Sequence, residues 1–431
     1  MLGKDTKTRI LIFPCGTEIA LEIHRSLSQS THVETFGANS VEPNHGAFVF
    51  KNYGPLLPLA YDPLFLPQMF SYVKEHGIDY VYPAHDDVLL TLARHAADLG
   101  CDIIGPPCET CELFRSKSAT YARFAGLIPV PRLYEPMDER TPLPLFLKPD
   151  RGEGSRGTML VHSTEEWAAA LDTDPTLLSM EYLPGAEYTV DCFTDRHGNL
   201  RFAGARERVR ASCGISTHTK PVHDVLFSET AAAINEMVPL RGAWFFQMKR
   251  NQQGRPVLLE AAPRVSGGMG LYRNLGVNLP LLSVYDRLGL DVDVQPNGYN
   301  IVMDRALISR FDINIVYDHV FIDLDDTLLR EDGVAPLIAA FLFQCRNKKK
   351  KLHLLTRHTG DVEQTLTKYA LCGLFDTVTA VEPGASKSAV IPHQDAIFID
   401  DSHAERKEVR EATGIPVFSP DAVECLLDWR Q

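Results

Sequence analysis

Asp323 and Asp325 stand two residues apart at the end of the apolar run Phe321-Ile-Asp-Leu-Asp-Asp-Thr-Leu-Leu329. Carboxylates at this spacing suit a nucleophile and an acid/base on either side of a hard cation. The apolar residues before Asp323 predict a buried strand of a parallel sheet, and open α/β sheets bind ligands at the carboxyl ends of their strands. Three later places offer matching groups. Thr356 ends the apolar run 352–355, Lys387 opens a helix in Gly-Ala-Ser-Lys-Ser, and Asp400-Asp401 ends the run 396–399. Parallel strands would bring all these ends to one rim. A lone Asp-x-Asp-x-Thr also suits a calcium-like loop or a helix cap, but the three further elements argue for a phosphate site.

A second constellation lies in the middle of the chain. Phe146-Leu-Lys148 leads into Pro-Asp-Arg-Gly-Glu-Gly-Ser-Arg-Gly157 and then Thr158-Met-Leu-Val161. Gly152, Gly154 and Gly157 satisfy Gly-x-Gly-x-x-Gly, but a dinucleotide fingerprint needs a helix at the third glycine. Here a strand follows. The loop therefore reads either as an ordinary hairpin or as a flexible cover whose N–H groups, at Gly154 and Ser155, meet phosphate oxygens. Lys148 would neutralise charge there. Met180-Glu181-Tyr182-Leu183 can hold an adenine by its edge. Gln247, in Trp244-Phe-Phe-Gln, and Glu260, in Val257-Leu-Leu-Glu, are oxygen donors of the kind Mg²⁺ takes alongside nucleotide phosphates. Arg264 follows Glu260 past a turn. Asp86-Asp87 would contact a cationic acceptor or cap the next helix. Arg206, Arg208 and Arg210 alternate along a strand and share a face, either to receive a carboxylate or to lie in solvent.

The elements that must position these groups alternate at both ends of the chain. Strands are expected over 9–13, 33–36 and 80–83 and at 103–104, with helices over 16–27, 66–76 and 89–99; this is a doubly wound α/β unit. A helix over 116–125 follows, then strands over 145–149, 158–162, 178–183, 187–194 and 200–206, an α+β region with a hairpin at Asp195-Arg-His-Gly198. Alternation returns after about residue 315. Joints are expected near 110 and 312.

The chain has 431 residues, 45% of them hydrophobic, and a net charge of −13. That balance argues against nucleic acid or an anionic membrane as partner. The basic run Arg346-Asn-Lys-Lys-Lys-Lys351 reads as a solvated helix C-terminus. Nine cysteines show no paired framework, and Cys108-Glu-Thr-Cys111 lacks partners for a zinc site. With no membrane-length apolar run, a reduced, cytoplasmic protein is expected.

Residues 9–310 resemble the ATP-grasp superfamily, most of all the synthetase units of carbamoyl-phosphate synthetase and biotin carboxylase. The resemblance implies an ATP-dependent carboxylate–amine ligase working through an acyl phosphate. By that resemblance Lys117 (in Ser-Lys-Ser-Ala-Thr) and Lys148 contact ATP phosphates, Glu181 and Leu183 hold adenine, and Glu187 holds the ribose. Gln247 and Glu260 hold Mg²⁺, with Mn²⁺ an alternative, and Arg264 stabilises the phosphoryl group in transfer. Gly214-Ile-Ser216-Thr matches a loop near the acceptor. One position departs: the family usually reads Glu-x-Asn-Pro-Arg, and Ala262 occupies the place of the Asn ligand.

Residues 318–431 resemble the haloacid-dehalogenase-like (HAD) superfamily, with four motifs in order. That resemblance implies attack by Asp323 on phosphorus, proton transfer by Asp325, phosphoryl contacts from Thr356 and Lys387, and a Mg²⁺ held by Asp323, the backbone carbonyl of Asp325, Asp400 and Asp401. The gaps after the first and second strands are too short for a large cap, so a minimal cap and an open site are expected.

Together these readings imply three domains: a pre-ATP-grasp α/β domain over 1–110, an ATP-binding ligase domain over 111–312 and a phosphatase-like domain over 313–431. The implied partners are a small carboxylate, an amine and a phosphorylated small molecule, with a homodimer allowed. Two alternatives stay open: a ligase whose last domain is regulatory or serves an unrelated phosphate, and a nucleotide-binding scaffold without turnover.

Overall fold

The computed structural model describes residues 7–136, 138, 140–152, 154, 156–212, 214–331 and 333–430. The chain forms two compact units, one running to Leu307 and the other spanning Ile308–Arg430.

The first unit opens with a five-stranded parallel sheet of β1 (Thr8–Phe13), β2 (Val33–Asn39), β3 (Asn52–Leu56), β4 (Tyr80–Pro83) and β5 (Asp102–Ile103), in the order β3-β2-β1-β4-β5. Ile10, Leu11 and Ile12 are fully buried because β1 lies in the middle and both its faces are covered. Helix Glu18–Leu27 follows Thr17, whose hydroxyl accepts from the Ala20 N–H at 3.1 Å. Sequence reasoning missed β3. Its Gly54 and Pro55 argue against a strand, yet β3 is an edge, where proline leaves no central ladder bond unmade. The helix expected over 89–99 spans Asp86–Arg94 instead, because His85 caps it by accepting from the Asp87 N–H at 3.2 Å.

Two further sheets complete this unit. The smaller contains β6 (Leu133–Tyr134), β7 (Leu145–Pro149), β8 (Met159–Val161) and β9 (Leu177–Glu181), ordered β6-β9-β7-β8. The larger is antiparallel and contains β10 (Glu187–Thr194), β11 (Leu200–Ser212), β12 (Ile215–Val222), β13 (Gly242–Arg250), β14 (Pro256–Ala262) and β15 (Met303–Asp304), ordered β14-β13-β10-β11-β12-β15. Val190, Cys192, Trp244, Phe246 and Leu258 pack with helix Val225–Met237 in one core. The segment expected as a loop at 214–217 is mostly strand: β12 begins at Ile215 and pairs with β11.

The second unit holds β16 (His319–Ile322), β17 (Leu329–Arg330), β18 (Gly333–Val334), β19 (Lys351–Thr356), β20 (Thr377–Ala380), β21 (Ala396–Ile399) and β22 (Val417–Phe418). Five of these form a parallel sheet ordered β20-β19-β16-β21-β22, while β17 and β18 pair as a small hairpin. A helix, Pro336–Asn347, follows that hairpin. Beyond it, Lys348 and Lys350 pair with Asp428 and Asp318, so the basic run is an ion-paired helix end. Among the described residues, no helix of either unit is long and apolar enough to cross a membrane.

Candidate functional site

A cleft of about 890 Å³ opens between the small and large sheets of the first unit. Its walls carry Lys117, Lys148, Gly154, Glu181, Leu183, Glu187, Gln247 and Glu260. Ser155 lies outside the described residues. The glycine loop joins β7 to β8 as an antiparallel hairpin, with no helix after it. Gly154 and Gly157 adopt φ of +60° and +68°, values that glycine reaches at no steric cost.

Lys148 stands in β7 and is only 4% exposed. Its ammonium donates to the Tyr121 hydroxyl at 2.7 Å and to the Leu259 carbonyl at 3.1 Å, while that hydroxyl itself donates to Leu259 O at 2.6 Å. Burial pushes Lys148 down to about 7, reinforced by Lys117 and opposed by Glu260. Lys117 opens helix Lys117–Phe124 and donates to the carbonyls of Asp150 and Gly152 at 3.3 and 3.1 Å, so it tethers the glycine loop. Its pKa is lowered too, chiefly by burial.

Gln247 in β13 and Glu260 in β14 are directly opposed. The Gln247 amide satisfies both neighbours when it donates to Glu260 Oε1 at 3.2 Å and accepts from Arg208 Nη1 at 3.3 Å. Ala262, two residues on, offers no ligand and is buried. At the other end of the cleft, Phe146, Met180, Leu183 and Leu259 supply apolar walls beside Glu181.

The three arginines of β11 do not form one carboxylate-receiving face. Arg206 is buried and bound to Asp191 at 2.7 Å and Ser266 at 2.9 Å. Arg208 reaches Glu187 at 2.7 Å and the Gly214 carbonyl at 2.7 Å. Arg210 pairs at the surface with Asp304. An irregularity in pairing with β12 between Arg208 and Arg210 breaks their common register, and only Arg208 lines the cleft. Ser216 is buried in β12 and sits away from the cleft wall. Asp86 is the first residue of its helix, which His85 caps, and it takes two bonds from Arg264, at 2.9 and 2.8 Å. Burial opposes its ionisation, but Arg264 holds it below the usual carboxylate range. Sequence reasoning also missed Tyr121, Arg156 and Lys249, the last two of which line the cleft. Lys249 is two residues from Gln247 on the same strand, a periodicity that pointed to it.

In the second unit, Asp323 follows β16 directly, and Lys387 Nζ donates to Asp323 Oδ1 and Asp400 Oδ2, both at 2.7 Å. Burial raises Asp323 to about 6 against the pull of Lys387, and raises Asp400 as well. Oxygens of Asp323, Asp400 and Asp401 lie within 4.8 Å of one another, a donor set that fits a hard cation. The Asp325 side chain is outside that set and faces His358, whose Nδ1 is 3.0 Å from both oxygens. Thr356 is fully buried at the end of β19, and its hydroxyl accepts from the His358 N–H at 3.1 Å. Lys387 stands just before a short 3₁₀ turn, Ser388–Val390, in place of the expected helix.

A family model described as "ATP-grasp in the biosynthetic pathway with Ter operon" matches residues 173–305. No curated protein matches the chain by sequence. Among solved structures, the biotin carboxylase domain of Hydrogenobacter thermophilus 2-oxoglutarate carboxylase, in complex with MgADP, ADP and bicarbonate, superposes with a TM-score of 0.57 at 16% identity, covering 68% of this chain and 72% of that one. N5-carboxyaminoimidazole synthetase from Staphylococcus aureus gives 0.55 at 14% identity, with 68% and 80% covered. An L-amino acid ligase from Bacillus licheniformis gives 0.52 at 16%, with 65% and 74% covered. The segment matched by the ATP-grasp family model holds the opposed Gln247 and Glu260 and all six strands of the large sheet, and the fold around it is shared with these enzymes.

Proposed function

We propose that the first unit is an ATP-dependent carboxylate–amine ligase. The observation that carries this reading is the convergence, in one cleft, of buried Lys148 and half-buried Lys117, a glycine loop, an apolar end beside Glu181 and the opposed oxygen donors Gln247 and Glu260. Adenine would lie between Phe146, Met180 and Leu183, with main-chain groups of Glu181–Leu183 at its edge and Glu187 at the ribose. The glycine loop would close over the phosphates. Gln247 and Glu260 fit a hard cation, which when bound would offset phosphate charge; Ala262 leaves that set one side chain short.

The protein's own groups then do electrostatic work. Lys117 and Lys148 stand near the phosphates, and Arg264 is held in one orientation by Asp86 to meet charge developing on the transferred group. Such preorganised donors cost no reorganisation during reaction. The carboxylate takes the γ-phosphoryl group, ADP leaves, and an amine nitrogen displaces phosphate from the acyl carbon. The shared fold with an L-amino acid ligase and an N5-carboxyaminoimidazole synthetase supports this class over a scaffold that binds ATP without turnover.

For the second unit we propose a HAD-like phosphohydrolase, favoured by the bridge of Lys387 between Asp323 and Asp400. Asp323 would attack phosphorus, expelling an alcohol that Asp325 protonates; Asp325 would then take a proton from the water that cleaves the aspartyl-phosphate.

ADP release against a panel of carboxylates and amines tests the ligase reading. Turnover with some pair, reduced on the order of 10²–10³-fold in Lys148→Ala and Glu260→Ala, is expected. Binding of ATP without ADP release across the panel would favour the scaffold. Asp323→Asn should abolish Mg²⁺-dependent hydrolysis of an aryl phosphate and leave ADP release intact; undiminished hydrolysis would sink the nucleophile assignment.

A further inference from the structure

A second cluster of donors lies at the other end of the parallel sheet in the second unit. His319 opens β16, His353 is the third residue of β19, and His393 precedes β21. β16 pairs with both neighbours, with Phe321 opposite His353 and His319 opposite Ala396. Pairing thus gathers three imidazoles distant in sequence onto one face. They sit at the amino-terminal end of β16, about 13 Å along the strand from the Asp323 end by the usual rise per residue.

The contacts are close. His319 Nδ1 is 2.9 Å from His353 Nε2, and the rings of His319 and His393 stack at 3.6 Å with 8° between planes. One ring nitrogen from each of the three lies within 4.8 Å of the others. His353 Nδ1 is 2.8 Å from the Thr377 hydroxyl, so its Nε2 is the nitrogen presented to the cluster. Such a partner on the far ring nitrogen is how proteins orient a ligating histidine.

We propose that His319, His353 and His393 form a transition-metal site, for Zn²⁺ or an ion of similar character, separate from the carboxylate cluster. Nitrogens bound to one tetrahedral Zn²⁺ at about 2.05 Å stand about 3.3 Å apart, against 2.9 Å between His319 and His353 and no more than 4.8 Å to the third ring. An all-imidazole set favours such ions over Mg²⁺, whereas the oxygen set at Asp323, Asp400 and Asp401 favours Mg²⁺. His319 and His393 are half-buried, which gives the ion an entry path and leaves a fourth position for water. The three rings lie within 8–22° of parallel, so binding requires His393, on the segment leading into β21, to turn out of its stack and the hydrogen bond between His319 and His353 to open around the ion.

Equilibrium dialysis of the full chain with Zn²⁺ in saturating Mg²⁺ tests the site, with Co²⁺ absorption as a second readout of nitrogen ligation. The wild type and Asp400→Asn should each bind one Zn²⁺. His393→Ala and His319→Gln should each bind at least ~10-fold more weakly and lose the Co²⁺ band. His393→Ala removes a half-buried side chain outside any strand, and circular dichroism confirms that the variant is folded. No Zn²⁺ bound by the wild type, equal binding by the histidine variants, or loss confined to Asp400→Asn would each overturn the proposal.

Discussion

Gly214 presses its α-carbon against the backbone of Gly154: a Cβ at Gly214 would stand 2.7 Å from the Gly154 Cα and 2.8 Å from its carbonyl carbon. Gly214 also holds φ of +78°, in the region that disfavours side chains. The turn entering β12 is therefore in direct contact with the loop proposed to cover the phosphates.

Gly214→Ala should weaken ATP binding about 5–150-fold, from roughly 1–3 kcal/mol of strain and displacement at the two loops. Titration with ATP checks it. Unchanged affinity with an unchanged Tm would show that the two loops move independently.

Lys148 sets a pH dependence. Its folded-state value of about 7 lies below the ordinary 10.5, so the unfolded chain binds the extra proton between those values. This group's contribution to stability of the nucleotide-free protein therefore rises with pH across that window. Bound polyphosphate would favour the ammonium, so ATP binding should take up a proton near pH 7–8 and weaken by up to about tenfold per pH unit above 7. Calorimetry in buffers of different ionisation enthalpy measures the uptake, and none should be seen in Lys148→Met. That variant keeps the Tyr121–Leu259 hydrogen bond, so its Tm at pH 7 should match the wild type or exceed it by a few degrees.

Asp86 and Arg264 should behave as one unit. Asp86→Ala leaves the Arg264 guanidinium without its two-point anchor, so it should reproduce most of the loss in ADP release seen in Arg264→Ala, on the order of 10²-fold. The double variant should be little worse than either single one. Fully additive losses would show that Asp86 acts elsewhere.

His358 is expected to position Asp325. His358→Ala should lower aryl phosphate hydrolysis about tenfold, within the range for a misplaced acid/base, while the Mg²⁺ requirement is retained. Steady-state kinetics would refute this if kcat were unchanged.

Much of the scaffold was legible because its strands are apolar and bounded by turns. Tyr80–Pro83 and Glu187–Thr194 fall where their patterns place them. Features set by partners far along the chain were not. Nothing near Asp86 marks it as the anchor of Arg264, and strand periodicity puts Arg206 on one face with Arg208 and Arg210 without showing that Asp191 and Ser266 bind it in the interior. β3 escaped because Gly54 and Pro55 are tolerated only at an edge, and edge status is a property of the sheet. The histidine cluster has no spacing signature, since strand pairing alone assembles it. The meeting of Asp323, Asp400 and Asp401 was legible, because each stands just past an apolar strand and such sheets gather groups at their strand ends.

Arg208 touches Glu187, Gln247 and the Gly214 carbonyl with one guanidinium. Groups proposed for the sugar, the cation and the loop over the phosphates thus share a single hub. A lineage changing its nucleotide preference through Glu187 would disturb the other two at once, so substitutions here should be epistatic.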